Sequence, residues 1–157
     1  MDEAAVAGFV DGALFTYYAA VIKTLTANSK IPVIIHGYDH PIPDGSRDII
    51  LIDPSGPWLL PFFEARGYDI AGNRQHLSLA SEIMKRLFDR LNAAIKKVAA
   101  AYPNRVYYVD LTGTLAQKYG DAAKYNLLWA NELHPNEEGF DLLAARVAKQ
   151  LKELKIG

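Results

Sequence analysis

Apolar positions recurring at three- and four-residue steps open the chain. Val6, Phe9, Val10, Ala13, Leu14, Tyr17, Val21 and Leu25 follow this spacing and predict a helix from about Asp2 to Asn28. Gly8 and Gly12 weaken its first half by roughly 1 kcal/mol each relative to alanine. The period then changes. Ile31-Pro-Val-Ile-Ile-His36 is a short β-branched run, the signature of a buried parallel strand. It ends in Gly37 to Gly45, a segment dense in turn formers. Ile49-Ile-Leu-Ile52 reads either as a strand or as the extended part of a long loop. Residues 53–73 carry Pro54, Gly56, Pro57, Pro61, Gly67 and Gly72 together with Trp58, Phe62, Phe63 and Tyr68. That mixture predicts an irregular excursion anchored by its aromatic side chains.

A second helical stripe spans about Leu77 to Ala101 and stops at Pro103. It consists of Leu77, Ala80, Ile83, Met84, Leu87, Phe88, Leu91, Ala94, Ile95 and Val98. Arg105-Val-Tyr-Tyr-Val-Asp110 predicts a second strand. Thr112 or Thr114 then starts a short helix that ends near Gly120. The last helix runs from Asn136 to about Lys155. Asn136 is its N-cap, Glu137 and Glu138 suit its positive end, and Phe140, Leu143, Val147, Leu151 and Leu154 form its inner face.

The order helix, strand, loop, helix, strand, helix, helix places parallel strands on helical crossovers, an α/β class in one domain over residues 1–157. Two strands, with Ile49–Ile52 as a third at most, are few for four helices. A doubly wound domain normally has more.

Half of the 157 residues are apolar and 22% are charged, the balance of a soluble globular domain. A formal net charge of −1 gives no electrostatic footprint for nucleic acid or for anionic lipid. The chain has no cysteine, which excludes disulfides, thiolate metal sites and cysteine nucleophiles. Met1-Asp2-Glu3 is acidic where a secretory leader has a basic region. No uninterrupted apolar run reaches the ~18 residues of a membrane span. A cytoplasmic chain is the default expectation, with secretion as the alternative if an N-terminal segment is missing.

The candidate chemistry lies in Trp129-Ala-Asn-Glu-Leu-His-Pro-Asn-Glu-Glu-Gly-Phe140. His134 stands just before a helix start, three residues after the polar Asn131. A serine hydroxyl near neutral pH needs a neutral imidazole within hydrogen-bond reach to take its proton. A group on the other ring nitrogen fixes the tautomer. His134 fits the base and Asn131 fits the orienting group, although an amide cannot neutralise an imidazolium. Glu132 or a backbone carbonyl is an alternative orienter. The plainer reading, of equal weight on the local pattern, is that His134 and Pro135 shape a helix start capped by Asn136. No Gly-Asp-Ser and no Gly-x-Ser-x-Gly occurs, so no nucleophile is identifiable. Ser46 and Ser55 lie in loops and read as turn residues. Ser78 and Ser81 fall in the long helix.

His36, Asp39 and His40 cluster at metal-ligand types, but Gly37, Pro41 and Pro43 forbid a helical zincin arrangement. The favoured reading is a strand-end turn in which Asp39 accepts backbone N–H bonds, with no metal expected. At the carboxyl edge of a sheet, Tyr38 and His40 would line a substrate path. Asp110 reads as an acid behind the site or as the cap of the short helix after it. Trp58, Phe62, Phe63, Tyr125 and Trp129 read as walls of an acyl pocket or, more commonly, as core anchors.

Asn131-Glu-Leu-His-Pro-Asn-Glu-Glu-Gly-Phe140 resembles the last block of the SGNH hydrolases, the GDSL esterase/lipase family, where Asp-x-x-His-Pro is usually followed by a glycine. A strand ending in His36-Gly-Tyr-Asp39, a long helix, a strand ending in Val109-Asp110-Leu111 and then the histidine block follow a similar order. The resemblance covers the chain from about Ile31 to its end. It implies a flavodoxin-like, three-layer α/β/α domain with a short parallel sheet. It also implies serine-type hydrolysis of a small-molecule ester through an acyl-enzyme, without a cofactor. His134 matches the family's catalytic histidine, and Asn131 stands where the family usually has aspartate. Tyr38, His40 and Trp129 fall on the substrate side. The family's serine, glycine and asparagine blocks have no counterpart here, so the resemblance implies the C-terminal portion of such a domain. The competing expectation is a catalytically silent fragment or binding module. It would self-associate as a homo-oligomer through its incomplete sheet.

Overall fold

The computed structural model describes residues 2–46, 48–50, 53–115 and 128–156. The chain is mixed α/β, 55% helical, with a parallel sheet of two strands. In chain order the elements are α1 (Glu3–Ala27), β1 (Val33–His36), β2 (Asp48–Ile50), β3 (Asp53–Ser55), α2 (Leu60–Glu64), α3 (Arg74–Ala100), β4 (Val106–Val109) and α4 (Glu137–Glu153). They fall into two compact units. One comprises Met1–Tyr38, Leu87–Thr112 and Val147–Gly157, the other Asp39–Arg86 and Gly113–Arg146.

In the first unit, Asp2 starts α1 by accepting the N–H groups of Ala4 (3.0 Å) and Ala5 (3.1 Å) on one carboxylate oxygen. Residues Ala7–Leu14 form π-helical turns, and Phe15–Ala27 return to α geometry. Counting back from the buried Ile22 in α-helical turns reaches Phe15 and then Asp11. The wider π turns bring Val10 to the inner line instead: it is 1% exposed, while Asp11 stays at the surface. The two glycines that interrupt the apolar run in the sequence do not interrupt the helix. As one continuous element it is long and apolar enough to cross a membrane by length and composition, its most apolar 18-residue stretch having a mean hydropathy of 1.5. This revises the expectation that no stretch of spanning length exists.

Strands β1 and β4 pair in parallel, Val33 opposite Val106 and His36 opposite Val109. Each is shorter than its β-branched run. Alternation sends Val33 and Ile35 to the face where Phe15, Tyr18 and Ala19 pack around Ile22, Val98, Ala99 and Val106. Full burial of side chains such as Ile22 and Val98 contributes roughly 1.5–3 kcal/mol each. Ile34 points to the other face and is exposed. Arg105 holds the end of α1 through the carbonyls of Thr26 (3.1 Å) and Ser29. Arg90 holds its start, with Nη1 3.1 Å from Glu3 and Nη2 2.6 Å from Asp11.

Two amide side chains close the carboxyl ends of the parallel strands. Asn92 accepts the Tyr38 N–H and donates to the Tyr38 carbonyl, both at 2.8 Å. Gln150 accepts the Asp110 N–H (3.1 Å) and donates to the Asp110 carbonyl (2.8 Å). Each amide offers one donor and one acceptor, as a neighbouring strand would, and so satisfies the residue that follows the ladder. Gly37 is required beside this clamp, because a Cβ there would meet the Tyr108 hydroxyl and, at 2.9 Å, the Asn92 oxygen.

In the second unit, the run at Ile49 does form a strand, but only with its own continuation. Strands β2 and β3 pair antiparallel, Asp48 with Ser55 and Ile50 with Asp53, apart from the parallel sheet. Leu51 and Ile52 lie outside the described residues. The core here is Ile42, Leu115 and Trp129, with Leu77, Leu128 and Leu143 against it. The excursion is anchored by fewer aromatics than the sequence suggests. Phe63 is buried, with Tyr68 edge-on at 5.5 Å and His76 beyond it at 5.8 Å. Trp58 and Phe62 stay exposed.

Helix α4 begins as expected, with the Asn136 oxygen accepting the Gly139 N–H at 2.9 Å. Its inner face is narrower than its apolar pattern. Leu143, Val147 and Leu151 are half-buried, whereas Phe140 and Leu154 are exposed. Thr112 to Leu115 form turns; the rest of the helix expected up to Gly120 lies outside the described residues, as does Tyr125.

Candidate active site

Residues 128–136 form a tight turn in the second unit. Trp129 and Pro135 make an antiparallel bridge. The His134 carbonyl accepts the Ala130 N–H (2.9 Å), and the Leu128 carbonyl accepts the Asn136 N–H (3.0 Å). Pro135 cannot donate and Gly139 allows the close approach behind it. A Cβ at Gly139 would strike the Leu128 carbonyl and come within 2.8 Å of Pro135 Cβ. The backbone of the block is therefore fixed before its side chains act.

Asn131 is buried and its Oδ1 gathers three donors: the N–H of Leu133 at 3.0 Å, the N–H of His134 at 2.9 Å, and Nδ1 of the His134 ring at 3.0 Å. Two of these are backbone amides, which only donate, so the atom they meet is the amide oxygen and not the nitrogen. The neutral His134 ring consequently carries its proton on Nδ1 and leaves a lone pair on Nε2. This is the tautomer a general base needs. His134 as a residue is exposed.

Glu132 does not orient the histidine. Its side chain is fully buried and its carboxylate accepts four backbone N–H groups: Gly45 at 3.0 Å and Leu60 at 3.0 Å on one oxygen, Trp58 at 2.5 Å and Leu59 at 2.6 Å on the other. No ion pair to Glu132 occurs among the described residues. Sequence reasoning misses this role because one glutamate beside a histidine gives no sign that distant loops converge on it.

Asp39 behaves as the turn reading requires. Its oxygens accept the N–H groups of His40 (2.9 Å), Gly113 (2.9 Å) and Leu115 (2.8 Å). Among the described residues no group of three or more potential ligands could hold a metal. Asp110 accepts the N–H (3.0 Å) and hydroxyl (2.6 Å) of Thr112, the capping alternative.

The remaining expected site residues are divided between the two units. His40 and Trp129 belong to the second unit with His134 and are 8% and 7% exposed. Tyr38 belongs to the first unit, 40% exposed, with His36 and Phe88 edge-on to its ring. Ser81 is buried in α3 and Ser78 is exposed on it. The Ser46 hydroxyl is buried with no hydrogen-bond partner among the described residues. No serine hydroxyl is hydrogen-bonded to His134 among the described residues.

Burial raises two phenols of the first unit. Desolvation, helped by the Tyr38 hydroxyl at 3.5 Å, pushes Tyr18 up to about 12. Desolvation and the Asp110 carboxylate push Tyr108 up to about 12. Both stay neutral through physiological pH.

The chain matches no protein-family model, no curated protein and no solved structure.

Proposed function

We propose that this chain is the base-bearing portion of a serine-type ester hydrolase of the SGNH kind, with a three-layer α/β/α plan and a small-molecule ester as substrate. One observation carries the reading: Nδ1 of the exposed His134 ring lies 3.0 Å from a buried amide oxygen, which leaves the lone pair on Nε2. His134 would take the proton of the attacking hydroxyl, and Asn131 would position the ring. An amide orienter gives a weak base pair, because it does not stabilise the imidazolium.

The test is a fluorophosphonate probe read by intact mass. An adduct on one serine that is abolished by His134→Ala supports the reading and identifies the nucleophile. An adduct indifferent to His134→Ala removes the role of His134, and absence of any adduct or ester turnover from the folded chain removes hydrolysis by this chain alone and favours a silent, non-catalytic module. If the chain is active, Asn131→Asp raises turnover, with roughly 10⁴ as the ceiling set by the equivalent exchange in serine proteases.

A second reading, a non-catalytic module that self-associates, is favoured by the two-stranded sheet. Among the described residues β1 and β4 pair only with each other, which leaves each with an open edge.

A further inference from the structure

We infer that the outer face of α1 is a two-fold interface with a second copy of this chain, the two helices lying antiparallel. The inference does not rest on the hydrolase reading, and it places self-association on a helix instead of a strand edge.

Helix α1 carries few charges, Glu3, Asp11 and Lys23, between Glu3 and Ala27. Its inner line, Val10 and Ile22, is buried, and the Ile22 cluster includes Val98, Ala99 and Val106. Its outer line is exposed: Phe9, Tyr17, Val21 and Leu25 are 59%, 66%, 38% and 51% exposed, Tyr17 with the Tyr18 ring edge-on at 6.3 Å. Between them lie the exposed small residues Gly12, Ala13, Thr16, Ala20 and Thr24. Thr24 turns its hydroxyl back to the Ala20 carbonyl at 2.9 Å, which removes one polar group from the stripe. A surface helix normally carries charge on its outer face, and one that is hydrophobic all round is normally covered. Counting the small residues, the stripe exposes roughly 600 Å², the size of a patch that marks an interaction site. Two such stripes would bury about 1,200 Å² together, the lower end of stable interfaces.

A helix lying on an anionic lipid surface needs lysines or arginines on its polar border, and α1 has Lys23 alone, with Asp2, Glu3 and Asp11 at the opposite end. The acidic end is already met within the chain, Arg90 pairing with Glu3 and Asp11, so what favours antiparallel helices is the opposed direction of their dipoles. The residue spacing is self-complementary about Tyr17. Phe9 then faces Leu25 of the other copy, and Ala13 faces Val21, a large residue against a small one. That is the reciprocal pairing an isologous interface requires.

Sedimentation velocity on the full chain tests this. A reversible dimer is expected. Tyr17→Glu, which sets two like charges on the axis at an exposed position, should raise its dissociation constant roughly 100-fold or more. Because the chain has no cysteine, Tyr17→Cys supplies a second readout. Under oxidation it should form a disulfide dimer, whereas Arg86→Cys, exposed on α3, should not. Three results overturn the inference. One is a monomer at every attainable concentration. Another is a dimer broken by Ile34→Lys but not by Tyr17→Glu, which restores the sheet edge. The last is flotation of the chain with anionic phosphatidylserine vesicles without any dimer, which makes lipid the occupant.

Discussion

Replacing Glu132 by glutamine changes one atom's chemistry and should nonetheless be among the most damaging substitutions in the second unit. The carboxylate presents two oxygens to two pairs of N–H donors, Gly45 with Leu60 and Trp58 with Leu59. An amide presents one oxygen and one NH₂. Whichever way it turns, one pair of backbone donors faces a donor. Charge-assisted hydrogen bonds contribute about 1.5–3 kcal/mol each, so losing two of the four costs roughly 3–6 kcal/mol. That is a large share of the ~5–15 kcal/mol that holds a domain together. Detachment of the 45–60 segment offers a cheaper escape, so the loss is read in two ways. Urea unfolding should show a lowered midpoint, and native-state hydrogen exchange should show the amides of Trp58, Leu59 and Leu60 losing protection. Glu132→Ala should do the same, since it also leaves the donors unmet. A glutamine variant within about 0.5 kcal/mol of the parent, the scatter of ordinary surface substitutions, with those amides still protected, would refute the reasoning.

Gly139→Ala should destabilise the chain by about 1–3 kcal/mol in thermal or urea melts, although alanine is the better helix former, because its Cβ meets the Leu128 carbonyl and Pro135. Tyrosinate absorbance should show two phenols titrating near 12, above their ordinary 10.0, and Tyr18→Phe and Tyr108→Phe should each remove one. In the window between those two values the native state keeps protons that the unfolded chain has released, so stability falls as pH rises through it. Arg90 holds the Asp11 carboxyl below its ordinary 3.8. Its contribution is therefore present above that value and fades as pH falls through the native one, and Arg90→Gln should bring the Asp11 carbon resonance back to an ordinary titration.

The local signals in the sequence carry most of the elements. Ten apolar positions from Leu77 to Val98 predict the long helix, and all ten are buried or half-buried. The β-branched runs locate both parallel strands, and Asn136 caps α4 through Gly139. What escapes is what depends on distant partners. Asn92 interrupts an apolar helical stripe, yet nothing local says that its amide closes the end of β1. Gln150 and Glu132 are the same case: polar residues whose partners are 40 and 72 to 87 residues away. The Phe140 and Leu154 positions show the opposite error. Their spacing is right for a buried face, but burial needs an opposing surface, and the described residues give them none. For the site, the Asn131–His134 contact is legible because it lies within one turn.

The π-helical stretch in α1 has a consequence for lengths of chain. Each π turn takes up roughly one residue more than an α turn, so Ala7–Leu14 reads as an α-helix that has absorbed an insertion. Deleting Gly12 would let ordinary α turns run through. Val10 would move into the place that α counting from Ile22 gives to Asp11, and Asp11 would swing to the flank beside it. The inner line and the reach to Arg90 would both survive the loss of a residue. A deletion in the middle of a helix ordinarily rotates everything before it by a quarter turn or more. Here it should be tolerated, and homologous chains one residue shorter at this point would be expected to carry a plain α-helix.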